Sequence, residues 1–392
     1  MSVADRLRSF EPAVLATALA TFVAFLGIGV VDPVLPEIAG AMGASHVMVE
    51  LLFTSYILVM ALSMLVSGAL ATRIGSKRTM VLGLGIVAVF AGLCGLAPSV
   101  EALALLRGVW GMGNALFTTT ALAIMVGASA RSESAITFFE AALGLGIAGG
   151  PLVGGFLGAQ SWRFPFFATG ALMTIAFGFA ILTIPETDRE QQQSVREVLG
   201  ALGHPGVLTN ATVGLLYSFG FFVVLAYAPL AVDLSATELG LTFFAWGTLV
   251  AVSSIVLAPR LSARFGAVST LSGDLFGFVL LLGVMWLASG TTLVALVVVS
   301  GLFCGIANAT LTTLAMDVSE HARPVSSAAF NSFRSMGAAF APVIAGYVGS
   351  HYGATTPFLM GAVVVGVGLT GLLFKSEVLR TSLGAATPAY GD

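Results

Sequence analysis

Apolar runs long enough to cross a bilayer recur along the chain. They lie at 14–35, 47–71, 80–98, 102–126, 134–158 and 164–184, and again at 207–232, 239–258, 268–288, 292–316, 325–348 and 355–374. Each is near the ~20 residues that a helix needs to cover ~30 Å of hydrocarbon. None alternates polar and apolar over about ten residues, as barrel strands would. The pattern predicts an all-α integral membrane protein of twelve transmembrane helices. The polar stretch Pro185 to Pro205 divides the spans six and six, so the expected organisation is a bundle over 1–185, a linker over 186–206 and a second bundle over 207–392. Within the linker a short surface helix is expected over Ser194–Leu202. No A-x-A-like cleavage site clearly ends the first span, which is therefore expected to stay as a signal anchor.

The two halves repeat one another. Gly68-x6-Gly75 recurs as Pro259-x6-Gly266, with Arg73 and Arg264 at the same offset of 191. Gly146-x3-Gly150-Pro151-x3-Gly155 recurs as Gly337-x3-Ala341-Pro342-x3-Gly346, again 191 apart, and Gly111–Ala115 recurs as Gly305–Ala309 at 194. Two six-helix halves related by an axis along the membrane normal are a transporter architecture.

Composition agrees with the pattern. Hydrophobic residues make up 57% of the chain and charged ones 9%, where a soluble domain carries about 25% charged. A net charge of −3 without a basic cluster argues against a nucleic-acid partner. The two cysteines, Cys94 and Cys304, sit inside apolar runs and read as small apolar side chains rather than a disulfide framework. Basic residues orient the chain. With the N-terminus inside, thirteen of the sixteen fall on the cytoplasmic side, Arg163 falls outside, and Arg107 and Arg334 lie within spans. Both termini are therefore expected in the cytoplasm.

Three motifs carry chemistry. The loop after the second span reads Gly68-Ala-Leu-Ala-Thr72-Arg73-Ile-Gly75-Ser-Lys77-Arg78. In the fourth span Arg107, Gly111, Asn114 and Thr118 fall on one helical face, a polar stripe that wants water or protein partners rather than lipid. An arginine at membrane depth costs at least roughly 2.5–3.5 kcal/mol and is a functional candidate by default. In the fifth span Gly146, Gly150, Pro151, Gly154 and Gly155 form a seam of small residues that lets two helices approach closely, with a proline that allows a bend.

Together these motifs resemble the major facilitator superfamily, in its twelve-span bacterial drug:proton antiporter branch. The resemblance covers nearly the whole chain. It implies two pseudo-symmetric six-helix bundles in the bacterial cell (inner or plasma) membrane, and export of lipophilic compounds, cationic ones among them, against inward proton flow. It also implies a cytoplasmic gate at Gly68, Arg73, Gly75, Lys77 and Arg78, with Arg264 as the repeat's counterpart. Thr72 stands where the family pattern has an acid, so the latch is weaker here or draws a carboxylate from elsewhere. The same basic residues are also what the positive-inside rule alone would place there. The resemblance gives Arg107 a part in proton coupling, against the alternative of a structural ion pair, and marks the fifth-span seam as an antiporter motif, where the physics alone says close packing.

The remaining candidates come from position. Glu140 lies eleven residues before Pro151 on the same face and is a candidate proton carrier or a permanently paired carboxylate. Asp32, in the outer third of the first span, is a plausible partner for Arg107 or a cap for the next segment. Asn331 matches Glu140 through the 191 offset, and Arg334 follows one turn later. With Asn114, Thr118, Asn308 and Thr312 they are expected to line the substrate cavity. Glu50 and Asp274 lie nearer span ends and read as interfacial. The four histidines fall in loops and suggest no metal site.

No G-x4-G-K-[ST] loop is present, so the expected energy source is the proton gradient, with no cofactor. The expected working unit is a monomer in the lipid bilayer, taking a small lipophilic substrate and protons. A carrier of the same fold for a sugar, amino acid, lipid or metabolite is the nearest alternative. An embedded enzyme is less favoured, since the spans hold no histidine and no nucleophile–base pair.

Overall fold

The computed structural model describes residues 12–128, 132–186, 200–318 and 323–386. All regular structure among them is helical. Helices α1 (Pro12–Gly29), α2 (Leu35–Met42), α3 (His46–Ile74), α4 (Ser76–Cys94), α5 (Val100–Gly127), α6 (Ser132–Gly158) and α7 (Phe164–Thr183) precede the linker. After it come α8 (Pro205–Phe222), α9 (Ala228–Ala231), α10 (Ala236–Val252), α11 (Ala258–Phe265), α12 (Ala267–Leu287), α13 (Gly290–Asp317), α14 (Arg323–Tyr352), α15 (Thr356–Phe374) and α16 (Ser376–Ala386). Among the described residues nine helical segments are long and apolar enough to span a membrane. Helices α5, α6 and α14, of 28, 27 and 30 residues, also exceed the length a span needs. The expected linker helix lies largely outside the described residues.

Prolines explain where the helices depart from single rods. Asp32-Pro33 begins a 3₁₀ turn over Asp32–Val34 that divides the first apolar run into α1 and α2. Proline suits a first helical turn because its missing N–H would have no intrahelical partner there. Widened π turns over Val223–Tyr227 and Ser253–Leu257 stand just before Pro229 and Pro259. A proline cannot donate to the helix ladder and crowds the preceding turn, so the backbone widens ahead of it. Pro151 and Pro342 lie inside α6 and α14, at matching positions of the repeat.

Contacts gather the chain into two compact units, Met1–Gln192 with Leu234–Phe244, and Gln193–Asp233 with Ala245–Asp392. In the first unit α3 and α4 pack on α5, and α6 and α7 pack on α1. In the second, α8 packs on α14 and α15, and α12 on α13 and α15. Lipid tails are as apolar as the side chains, so helices in a bilayer associate mainly through close packing and polar contacts. The glycines show it. A Cβ on Gly146 would stand 2.5 Å from the Phe22 carbonyl oxygen, and one on Gly150 would stand 2.7 Å from that of Leu26.

The repeat read in the sequence is also a repeat of contacts. Gly111 abuts the carbonyl of Tyr56, and Gly305 abuts that of Val250, both members displaced by 194 positions. Gly146 of α6 meets Phe22 of α1, as Gly337 of α14 meets Leu215 of α8. Gly75 and Gly266 take the same backbone conformation, φ 91° and ψ 151° against φ 82° and ψ 149°. That region is open essentially to glycine alone. One helix was not expected. Helix α16 folds back on the second unit, with Leu379 buried and Arg380 Nη2 donating to Ser269 Oγ at 3.4 Å.

Candidate functional site

The break after α1 carries Asp32 into the interior of the first unit, where it is 1% exposed. Neither of its carboxylate oxygens has a hydrogen-bond partner. Arg107, on α5, is fully buried nearby, and the two charges act on each other without a contact within 4 Å. The guanidinium is held instead by backbone and aromatic rings. Its Nε donates to the Leu52 carbonyl and its Nη1 to the Gly27 carbonyl, each at 3.4 Å. Its carbon lies 4.5 Å from the Tyr56 ring centroid and 4.7 Å from that of Trp110. Such placement offsets part of the cost of an arginine in hydrocarbon. The Nη2 group has no partner and remains available to an acceptor.

Two turns further along α5, Asn114 Nδ2 donates to the Tyr56 hydroxyl and, at 3.4 Å, to the Ala24 carbonyl. Gly111, between Arg107 and Asn114, is the small residue that lets α3 come close enough for these contacts. Thr118 returns its hydroxyl to the Asn114 carbonyl at 2.7 Å. The polar stripe on α5 thus finds protein partners on α1 and α3.

Glu50 completes the cluster and was misplaced by the sequence reading. It is fully buried rather than interfacial, with neither carboxylate oxygen hydrogen-bonded. Its charge and that of Asp32 act on each other. A signal was present: Glu50 stands on the stripe Glu50, Phe53 and Ile57, at helical spacing along the buried face of α3. Tyr56 and Trp110 carried no comparable sequence signal, because an aromatic on a buried face is ordinary packing.

In the second unit Arg334 Nη1 donates to Asn308 Oδ1 at 3.2 Å, and its guanidinium carbon lies 5.8 Å from the Phe330 ring centroid. Two expected cavity residues thereby meet. Thr312 and Asn331 are half-buried. Asp274 also departs from expectation, being 7% exposed with no hydrogen bond to either oxygen. It occupies the core stripe of α12 with Leu271, Leu275 and Phe278. Tyr217 donates its hydroxyl to the Cys304 carbonyl at 2.8 Å and feels the charges of Asp274 and Arg334.

Of the residues expected at the gate, Arg73, Arg78 and Arg264 are exposed, Lys77 is half-buried and Gly75 is buried. Arg73 and Arg264 are exposed in the last turns of α3 and α11, where a cation complements the helix dipole. Arg78 Nε lies 3.7 Å from Glu186 Oε1, an exposed ion pair with a carboxylate from the start of the linker. The side chain of Thr72 and the surroundings of Gly68 lie outside the described residues, as does the side chain of Glu140. The fifth-span seam packs α6 onto α1 through Gly146, Gly150 and Gly154, with Pro151 against Gly29, while Gly155 meets Ala236 and Gly240. Among the described residues no group of three or more His, Cys, Asp and Glu could hold a metal ion.

Comparison with known proteins speaks to the family and the fold. A family model described as Major Facilitator Superfamily matches residues 17–333 and 231–388. The multidrug efflux protein YfmO of Bacillus subtilis is 44% identical over 377 residues, covering 95% of each chain. The quinolone resistance protein NorA of Staphylococcus aureus is 25% identical over 337 residues, 83% of this chain and 87% of that one. A crystal structure of a bacterial homolog of the human lysosomal transporter Spinster, inward-facing and occupied, superposes with TM-score 0.76 at 17% identity, over 96% of this chain and 98% of that one. The nucleoside transporter NupG superposes with TM-score 0.74 at 14% identity, over 93% and 99%. At these identities the structural likeness speaks to the fold alone.

Proposed function

The chain belongs to the Major Facilitator Superfamily, a multi-pass membrane transporter rather than an enzyme, and on that premise we propose that it exports lipophilic compounds in exchange for protons. Drug export is the reading favoured by its relatives, since the 44%-identical Bacillus protein is a multidrug efflux protein and NorA a quinolone resistance protein. The energy comes from the proton gradient, with no cofactor. The transporter works as a monomer with both termini in the cytoplasm, and a six-helix half at each end of the chain rocks to give alternating access. Asn114, Thr118, Asn308, Thr312, Asn331 and Arg334 serve the substrate, which adaptable Phe and Met side chains hold by apolar contact.

The observation that supports proton coupling is the pair Asp32 and Glu50, both buried, both without hydrogen bonds, and acting on each other beside Arg107. An ionised carboxylate removed from water costs several kcal/mol unless a counter-charge and hydrogen bonds compensate. Whether these two groups carry charge therefore depends on whether water and the guanidinium reach them. A conformational change that alters that access must bind or release protons. Arg107 is the fixed cation that an ionised Asp32 would meet through its unpartnered Nη2. Glu140 is a third carrier under this reading.

The test is dye export by the purified full-length protein in liposomes with an imposed pH gradient. Export should follow the gradient in the wild type and lose that dependence in Asp32→Asn and Glu50→Gln. Export indifferent to the gradient would sink proton coupling. Failure to move any of a panel of lipophilic dyes would sink the substrate class.

A further inference from the structure

A groove of about 800 Å³ runs along the outer surface of the first unit between α4 and α7. One stripe of α4 forms its length: Arg78, Val81, Leu82, Gly85, Ile86 and Val89 recur at helical spacing, and Phe177 and Ile181 of α7 close the other side. Leu82, Val89 and Ile181 are 47, 57 and 43% exposed. Gly85 keeps the floor open, since a Cβ there would stand 3.2 Å from the Phe177 ring. At its water-facing end the groove is capped by Lys77, Arg78 and Glu186.

We propose that this groove holds one phospholipid with an anionic headgroup. An apolar face exposed on a spanning helix meets acyl chains, so a lipid is the occupant that the surroundings supply. From Arg78 to Val89 the stripe rises roughly 16 Å, about half of the ~30 Å hydrocarbon thickness, so it matches the chains of a single leaflet. The rim carries two cations and one anion. Lys77 makes no ion pair among the described residues. Among the described residues Arg78 is engaged by Glu186 at 3.7 Å, with the two side chains 68 and 63% exposed. An exposed pair of that kind is weak, and a phosphate oxygen can share the guanidinium with it. Basic pockets between spanning helices are suited to anionic headgroups for this reason.

The second unit differs at the corresponding position. Arg78 corresponds through the 191 offset to Ser269, and there the chain's own α16 lies against α12, with Arg380 donating to Ser269. The position taken by lipid phosphate in the first unit is met in the second by an internal hydrogen bond.

The experiment is native mass spectrometry of the purified full-length protein from nanodiscs of equal phosphatidylglycerol and phosphatidylcholine. The wild type should retain phosphatidylglycerol preferentially. Lys77→Gln and Arg78→Gln should each lower that preference roughly fivefold, about what one interfacial charge contributes. Glu186→Gln should raise it, a sign that a merely structural role would not produce. Gly85→Leu should remove retention of both lipids while the charges remain. Equal retention of the two lipids by the wild type, or a preference unmoved by the charge variants, overturns the proposal. So does an absence of retained lipid in the wild type, as when the linker itself fills the groove.

Discussion

The Arg107 guanidinium stands 4.5 Å from the centre of the Tyr56 ring, whose hydroxyl in turn accepts a hydrogen bond from Asn114. One tyrosine thereby serves both ends of the polar stripe on α5. Arg107→Lys should lose the flat contact with Tyr56 and Trp110, which contributes about 0.5–2 kcal/mol, and the two bonds to backbone carbonyls. Tyr56→Phe keeps the ring and removes only the hydroxyl, at a cost of about 1 kcal/mol. Dye export should therefore fall far more in Arg107→Lys than in Tyr56→Phe, with both proteins inserted at similar levels. Equal loss in the two variants would mean that the hydroxyl, not the cation, matters.

Glu50 should prove as important to coupling as Asp32. In Glu50→Gln the amide keeps the shape and cannot change charge, so gradient-driven export should drop at least tenfold. Lipophilic dye should still quench the protein's tryptophan fluorescence, because binding does not need the proton. If Glu50→Gln exports normally while Asp32→Asn does not, the coupling site has one acid rather than two.

The seam between α1 and α6 should tolerate no side chain. Gly150→Leu would drive its Cβ to within 2.7 Å of the Leu26 carbonyl oxygen, an overpacking that costs about 1–3 kcal/mol or more. Gly144, six residues earlier, has nothing within 4 Å. There Gly144→Ala should raise stability by about 0.5–1 kcal/mol, since alanine loses less freedom in a helix. Melting midpoints in detergent should move in opposite directions for the two variants.

The turns at Gly75 and Gly266 should respond alike, because they share a conformation in which a side chain is strained. Alanine at either should cost about 1–3 kcal/mol without touching the buried cluster. Thermal unfolding of Gly75→Ala and Gly266→Ala would measure this, and an unchanged midpoint in both would mean that the turns relax.

Much of the fold was legible because its physics is local. A span needs about twenty apolar residues, so the run 47–71 predicts α3 (His46–Ile74), and 268–288 predicts α12 (Ala267–Leu287). The seam from Gly146 to Gly155 was legible as a place of close approach. Its partner, α1, was not. Asp32 and Arg107 were readable as a pair, since each is a charge that hydrocarbon must explain. Glu50 was not. Four positions inside α3 it reads as interfacial, yet it stands on the face of α3 that the packed unit buries, a helix whose neighbours include α5. Distance from a helix end along the chain is not depth once the helices have packed. The same holds for Asp274, eighth residue of α12, which stands on that helix's buried stripe.

The sequence alone determined the membrane as solvent, the run of helices and the internal repeat. Those follow from solvation and from the period of the backbone, which each segment obeys by itself. Only the tertiary structure decided that Glu50 joins Asp32, that Tyr56 supports both Arg107 and Asn114, and that Arg78 meets Glu186 rather than an acid of its own loop. These relationships join residues 18, 51 and 58, and 108 positions apart. Charge, burial and hydrogen bonding act through space, so chemistry spread over several segments of the chain becomes a site only once the helices have packed.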